Sequence, residues 1–473
     1  MLNLLTRVKR ARPIDHPAAT FAVLALVFGL FFVFVTPPFF NADEPNHFLR
    51  VYQLSEEDLI PEAPAGMLAG GNVPASIETT INMAAPGTLN TQPLLRYSAR
   101  FFFHEMRKTP LKPSVQSYAS FPDTAIYSPV TYAPELIAVK LLALIKAPVV
   151  YMLYLGRIFG LVATVAIFAY AIRKIPFGKW GLVAIGLLPM SVNVFATFGA
   201  DSMTLAVGAL FVAMVANFAY HKKDIANNLD TWVLLGAAVA LALCKTTYSV
   251  LLPLLLVLPF YNPKLRTKRG LLKVGLLLAL SLSTALVWQH LTRIVTTISG
   301  DPTVNPKAQF AYIKHHSWQY ISGPLAQGLL TAQSNGIIVS IFGVFAWLST
   351  PLPYMVVLLE TIVLALCCGS VFPGEIKKGF DLKALRRFSS VIAILCAVVM
   401  ATALYAYWSP VGSPIILGLQ GRYFIPLLAL LVPAMKVRRF VLSQRTVYLW
   451  AAGGSLASLI VTSLVLASRF YTL

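Results

Sequence analysis

The chain has 473 residues, of which 57% are hydrophobic and 12% charged, and it carries a net charge of +20. That composition excludes an ordinary soluble domain and implies a protein that crosses a membrane many times. The excess of Lys and Arg does not signal nucleic acid, because the basic residues cluster in short loops between apolar runs, as cytoplasmic loops do.

In chain order, residues 1–17 form a basic cytoplasmic tail holding Arg7, Lys9, Arg10 and Arg12, and 18–40 read as a first, uncleaved span. Residues 41–148 form a long external loop with juxtamembrane helices, and aromatics such as Tyr97, Phe101, Phe102 and Phe103 argue that it is ordered. Within it, 129–147 is apolar but short and contains Lys140 and Lys146, so it reads as interfacial or re-entrant. Residues 149–291 hold transmembrane helices at 149–172, 182–200, 203–220, 231–244, 248–261 and 271–291. A second external segment, 292–351, includes a re-entrant candidate at 336–348. The C-terminal part, 352–473, holds spans at 352–372, 388–407, 423–435 and 447–467. The expected fold class is an all-α polytopic membrane bundle of about eleven spans, counted as apolar runs of roughly 20 residues. Charge asymmetry places the N-terminus in the cytoplasm and the C-terminus outside. Cys244, Cys367, Cys368 and Cys396 all lie in apolar runs, so no disulfide or thiolate metal site is expected.

The unusual charges are few. Asn41-Ala-Asp-Glu-Pro-Asn-His-Phe-Leu-Arg50 follows the first span directly. Pro45 suits the first turn of a helix. Spacings of four and three then put Asp43, His47 and Arg50 on one face. An acid before Pro is also an ordinary helix start. Asp201, Lys245 and Arg422 fall at the outer ends of other spans, so acids and bases from remote parts of the sequence meet at one membrane surface. Glu360 lies mid-span with no evident partner beyond a helix–helix hydrogen bond. Walker loops, Rossmann glycines, zinc spacings and nucleophile elbows are absent, and the cytoplasmic loops are too short for a nucleotide-sugar domain.

The segment Asp43-Glu-Pro-Asn-His-Phe-Leu-Arg-Val-Tyr-Gln-Leu-Ser55 resembles the opening motif of a bacterial family of polytopic membrane proteins, domain of unknown function 2142. Leu188-Pro-Met-Ser191 with Ala200-Asp-Ser202, Lys245-Thr-Thr-Tyr248, Phe342-Gly-Val-Phe-Ala-Trp347 and Gly421-Arg-Tyr-Phe424 match in order. That family is similar to the GT-C class of membrane glycosyltransferases, which take sugars from polyprenyl-phosphate donors and carry an acidic motif in the first external loop. The resemblance implies a GT-C-like bundle in a bacterial inner membrane and a lipid-phosphate-linked sugar donor. It further implies an envelope glycan or lipid acceptor, with Asp43 in the acidic loop. Tyr127-Ser-Pro-Val-Thr-Tyr-Ala-Pro134 stands where the class has an aromatic-rich element.

Inverting transfer needs one base for the acceptor hydroxyl and cations for the leaving phosphate. Asp43 reads as that base, with Glu44 as its rival. Lys245 and Arg422 read as phosphate ligands; an interface anchor formed with Tyr423 is the plainer role for Arg422. Asp201 orients the acceptor, assists a metal or caps its helix. His47 is a hydrogen-bond or metal partner of Asp43, or a structural group. Arg50 pairs with Asp43 or Glu44, and Arg157 contacts phosphate or pairs with an external acid. A divalent metal such as Mg or Mn, on Asp43 and Asp201, is left open as a cofactor. A flippase of lipid-linked glycans and a non-catalytic assembly scaffold are the competing readings.

Overall fold

The computed structural model describes residues 13–84, 104–296, 298–330, 336–437 and 439–471. The basic residues Arg7 to Arg12 and the aromatics Tyr97 and Phe101 to Phe103 lie outside the described residues.

A chain without water around it must satisfy its backbone groups internally, and here the apolar runs do so as helices. Among the described residues six helices are long and apolar enough to cross a membrane: Pro17–Val35, Val149–Lys174, Ala200–His221, Lys268–Leu291, Lys383–Trp408 and Gln444–Phe470. A seventh span arises if the bent pair Lys179–Gly186 and Pro189–Ala196 is counted as one. Leu229–Cys244, Thr246–Tyr261 and Tyr354–Gly369 are shorter apolar helices. The protein is therefore an all-α membrane protein with few strands.

Three expected spans differ in detail, each at a proline. The 182–200 run is two helices meeting at 65°. Leu188, which precedes Pro189, is extended at φ −50 and ψ 137, because the proline ring disfavours helix in the residue before it. Residues Thr246–Val257 form a 3-10 helix containing Pro253. A 3-10 helix rises about 2 Å per residue, so the short segment 246–261 reaches roughly 30 Å. The 423–435 run is broken into Gly421–Phe424, Ile425–Leu428 and Leu431–Met435, with Pro426 and Pro433 inside it. Residues 129–147 form a short turn and the helix Ala133–Leu144, and 336–348 contain the helix Ile337–Gly343.

Ala200–His221 is the axis of the bundle: 94% of its apolar window is buried, against 33% for Pro17–Val35, which turns much of its surface outward. Glu360 is fully buried beside Ser458 of the last helix. One end of the bundle is tied by ion pairs. Asp230 accepts from Lys174 at 2.6 Å and Lys223 at 2.5 Å, while Glu375 takes Lys436 at 3.2 Å and the Gly178 N–H at 2.7 Å. The other end carries the long segment between Pro17–Val35 and Val149–Lys174. There Gly70–Pro74 pairs antiparallel with Gln116–Ser120, Asn72 opposite Tyr118.

Candidate functional site

The first link of the site is the turn after Pro17–Val35. Arg157 donates to both oxygens of Glu44, at 2.8 and 2.5 Å, and to the carbonyls of Val33, Thr36 and Pro37 at 2.9, 2.9 and 3.1 Å. Glu44 also accepts the Phe198 N–H at 3.1 Å. Both side chains are fully buried. Glu44, expected as the rival base, is thus held by a cation and out of the cavity, and Arg157 takes the acid pairing that was one of its two readings. Their charges cancel one another and staple the turn to its neighbours.

Arg50 is corrected as well. It is buried and donates to Gln53 Oε1 at 2.5 Å, to the Leu59 carbonyl at 2.9 Å and to the Tyr127 carbonyl at 3.2 Å, rather than to Asp43 or Glu44. The expected shared face fails because the helix begins at Glu44. Asp43 is its cap, in a left-handed conformation at φ 64, so its side chain leaves the face that His47 and Arg50 define. Asp and Asn tolerate that backbone region better than most residues.

Freed from the helix face, Asp43 accepts a hydrogen bond from Arg422. Arg422 also lies 3.6 Å from Asp201 through Nε, and Asp201 accepts from Lys245. The order is thus Asp43, Arg422, Asp201, Lys245: two carboxylates and two cations drawn from four distant stretches. Side-chain exposures of 12% for Arg422, 15% for Asp201 and 11% for Lys245 leave the ensemble lining a cavity rather than sealed. Aromatic faces flank the cations. The Lys245 ammonium is 5.4 Å from the Tyr127 ring centre and 5.0 Å from that of Tyr423, and Arg422 is 5.2 Å from Tyr423.

Local structure explains each placement. Lys245 is an extended residue between Leu229–Cys244 and the 3-10 helix, at φ −144. The carbonyls before it are held by Ser128 at 2.9 Å and Thr131 at 3.1 Å. The Tyr248 hydroxyl donates to the Tyr423 carbonyl at 2.6 Å, which joins the Lys245 hairpin to the Arg422 turn. Gly421 donates its N–H to Ser340 Oγ at 2.7 Å, and a Cβ there would come within 2.2 Å of the Ile341 nitrogen. Only glycine lets Arg422 approach so close to Ile337–Gly343. His47 shares a 2.5 Å hydrogen bond through Nδ1 with the Tyr132 hydroxyl and stacks on Tyr127 at 5.8 Å. Burial lowers its pKa to about 4, so the ring is neutral at pH 7.

These groups floor a cavity of about 700 Å³. The floor is polar, with Asp43, Asp201, Lys245 and Arg422; one wall is largely apolar, with Trp288, Ile298, Met400, Leu404 and Tyr407, interrupted by Gln289, Thr292 and Arg293. A second, smaller pocket of about 30 Å³, lined by Asn41, Asn193 and Ser202, lies behind the same His47, Asp201 and Arg422.

Sequence reasoning passed over Asp123. It lines the main cavity and accepts from the Asn46 amide at 2.8 Å. Burial first, and then the charge of Asp43, push its carboxyl up to about 6. Its setting, Phe121-Pro-Asp-Thr124, reads locally as a helix start, and no spacing pattern links it to Asp43.

A divalent metal fits poorly. Among the described residues no three His, Cys, Asp or Glu gather with metal-binding geometry. Asp43 and Asp201 are already neutralised by Arg422 and Lys245, whose positive charges would repel a second cation.

No curated protein and no solved structure matches this sequence. The profile of one family, described as predicted membrane protein (DUF2142), matches residues 26–431, a stretch that contains Asp43, Asp123, Asp201, Lys245 and Arg422, and the chain belongs to that family.

Proposed function

We propose that the protein is an inverting glycosyltransferase of GT-C type that moves a sugar from a polyprenyl-phosphate donor to an envelope glycan or lipid. In this reading the chain crosses a bacterial inner membrane eleven times and the cavity opens at the extracytoplasmic face. The single observation that carries the proposal is the cavity itself: Lys245 and Arg422 converge at its floor while one wall is largely apolar. A phosphate would sit at the floor and a hydrocarbon chain along Trp288, Met400, Leu404 and Tyr407.

The chemistry follows from those groups. Lys245 supplies a point charge and Arg422 a planar fork, both suited to phosphate oxygens. Each is paired with a carboxylate in the structure, so an entering phosphate competes with Asp43 and Asp201 for them. Phosphate leaves without being protonated, so one carboxylate suffices to take the acceptor proton. Tyr127 and Tyr423 add aromatic faces beside the floor and keep the cations in place.

The test is binding of farnesyl phosphate to the full chain in lipid nanodiscs. The double variant Lys245→Met with Arg422→Met is expected to lose about 10- to 100-fold in affinity, the weight of one or two charge-assisted hydrogen bonds. Unchanged affinity in the double variant would remove the basis of this reading.

A further inference from the structure

We propose that the carboxylate of Asp123, rather than that of Asp43, takes the proton from the attacking acceptor hydroxyl. The inference rests on the glycosyl-transfer reading above and assigns the one role that reading left open.

Three carboxylates line the cavity and a fourth, Glu44, adjoins Asp43 behind it; their partners separate them. Glu44 is sealed against Arg157. Asp43 is held by Arg422, and Asp201 by Lys245 with Arg422 3.6 Å away. A carboxylate that holds a cation must give up that hydrogen bond before it can take a proton from a substrate hydroxyl. Asp123 differs: it accepts from the neutral Asn46 amide at 2.8 Å and has no ion-pair partner among the described residues. It lines the same cavity as Lys245 and Arg422, and it is partly exposed there.

The groups that face Asp123 set its proton affinity. Asn46, from the first turn of Glu44–Ser55, donates to it, and Asp43, the cap of that helix, acts on it by charge. Tyr127 and Tyr132 feel its charge from the segment that follows. His47, Trp288, Arg293, Asp201, Lys245 and Arg422 line the same cavity. Burial is the largest influence and raises the carboxyl to about 6, with Asp43 pushing in the same direction. A base works best when its affinity lies near the working pH, and Asp123 meets that condition.

The step balances without a further reactant. The acceptor oxygen bonds the anomeric carbon while the bond from that carbon to the phosphate oxygen breaks. The electron pair leaves on the phosphate, held by Lys245 and Arg422, and the hydroxyl proton passes to an Asp123 oxygen. The anomeric centre inverts. Asp43 is then a positioning residue that aims Arg422.

Two measurements on the full chain in nanodiscs test this. Infrared difference spectra of wild type against Asp123→Asn, taken across pH, should show a carboxyl that titrates near pH 6; ionisation near pH 4 overturns the proposal. Transfer from a panel of polyprenyl-phosphate hexoses and pentoses, with envelope lipid extract as acceptor, gives the second readout. Asp123→Asn should bind farnesyl phosphate as wild type does, lose at least about 100-fold in rate and lose the rise in rate through pH 6. Asp123→Glu should restore part of the rate. Asp43→Asn should keep the rise but move it to lower pH, because the charge that raises Asp123 is gone. Wild-type rate in Asp123→Asn overturns the assignment. Failure of the wild type to bind farnesyl phosphate overturns the transfer reading instead, and the infrared titration, which needs no donor, tells the two apart.

Discussion

The adjacent acids Asp43 and Glu44 show how far one residue step can separate roles. Glu44 is within the first helical turn and fully buried against Arg157; Asp43, one position earlier, caps the helix in a left-handed conformation and reaches Arg422. Removing one partner of a buried pair strands the other charge, which costs about 3–5 kcal/mol. Glu44→Gln and Arg157→Met are therefore each expected to unfold the protein at markedly lower temperature. Asp43→Asn should melt close to wild type, since its pair is a third exposed on the acid side. Thermal unfolding in detergent checks this, and equal melting of Glu44→Gln and Asp43→Asn would refute the division. Asp123 yields a second expectation. Its folded carboxyl is raised to about 6 from an ordinary 3.8, so its contribution to stability is full at low pH and is lost as pH rises through 6. Asp123→Asn should accordingly raise the melting temperature at pH 8 and leave it nearly unchanged at pH 4. A lowered melting temperature at pH 8 would contradict that account.

At the scale of elements, prolines and glycines decide where the polar residues stand. Pro189 bends the run that leads to Asp201, and the 3-10 helix with Pro253 begins at the residue after Lys245. A regular α-helix through 246–257 would be about 6 Å shorter, at 1.5 rather than 2 Å per residue. The chain could then not both present Lys245 to the cavity and reach Asn262, which ties to the Lys222 and Lys223 carbonyls at 3.0 and 2.9 Å. Gly421 sets the other cation. In Gly421→Ala the new methyl meets the Ile341 nitrogen and the Ile337 carbonyl, at 2.2 and 2.4 Å. These are backbone atoms that cannot rotate away, so Ile337–Gly343 must shift. Overpacking of this kind costs about 1–3 kcal/mol. The same variant should weaken farnesyl phosphate binding, because Arg422 moves with the turn; calorimetry on the variant provides the check, and undiminished affinity would show that the turn does not position Arg422.

For the whole molecule, the arrangement is polar at the cavity floor, apolar along one wall and ion-paired at the far end of the bundle. If that wall receives a hydrocarbon chain, narrowing it should discriminate by ligand. Ala403 lines that wall beside Met400 and Leu404. Ala403→Trp is expected to weaken farnesyl phosphate at least about tenfold, since roughly 0.8 kcal/mol is lost per methylene kept from burial. Inorganic phosphate, which needs only the floor, should bind the variant as it binds wild type. Parallel loss of both ligands would place the chain elsewhere.

The residues along the chain were enough to determine a membrane-embedded all-α fold, because runs of apolar side chains have one stable backbone solution in lipid. Rare charges at span ends also marked Asp43, Asp201, Lys245 and Arg422, since a charge is expensive there unless something holds it. Family membership was legible for the same reason, through Asp43 to Ser55 and Gly421 to Phe424. Pairing was not. Whether Glu44 or Asp43 faces the cavity depends on a left-handed cap, and Arg157 finds Glu44 across more than a hundred residues of chain. Asp123 enters the site only because Asn46 and the Tyr127 turn fold over it. Periodicity records which face of a helix is apolar; it holds no record of which two faces meet. That choice is made by packing among many weak contacts, and it decides which acids are held by a cation and which is held by a neutral amide.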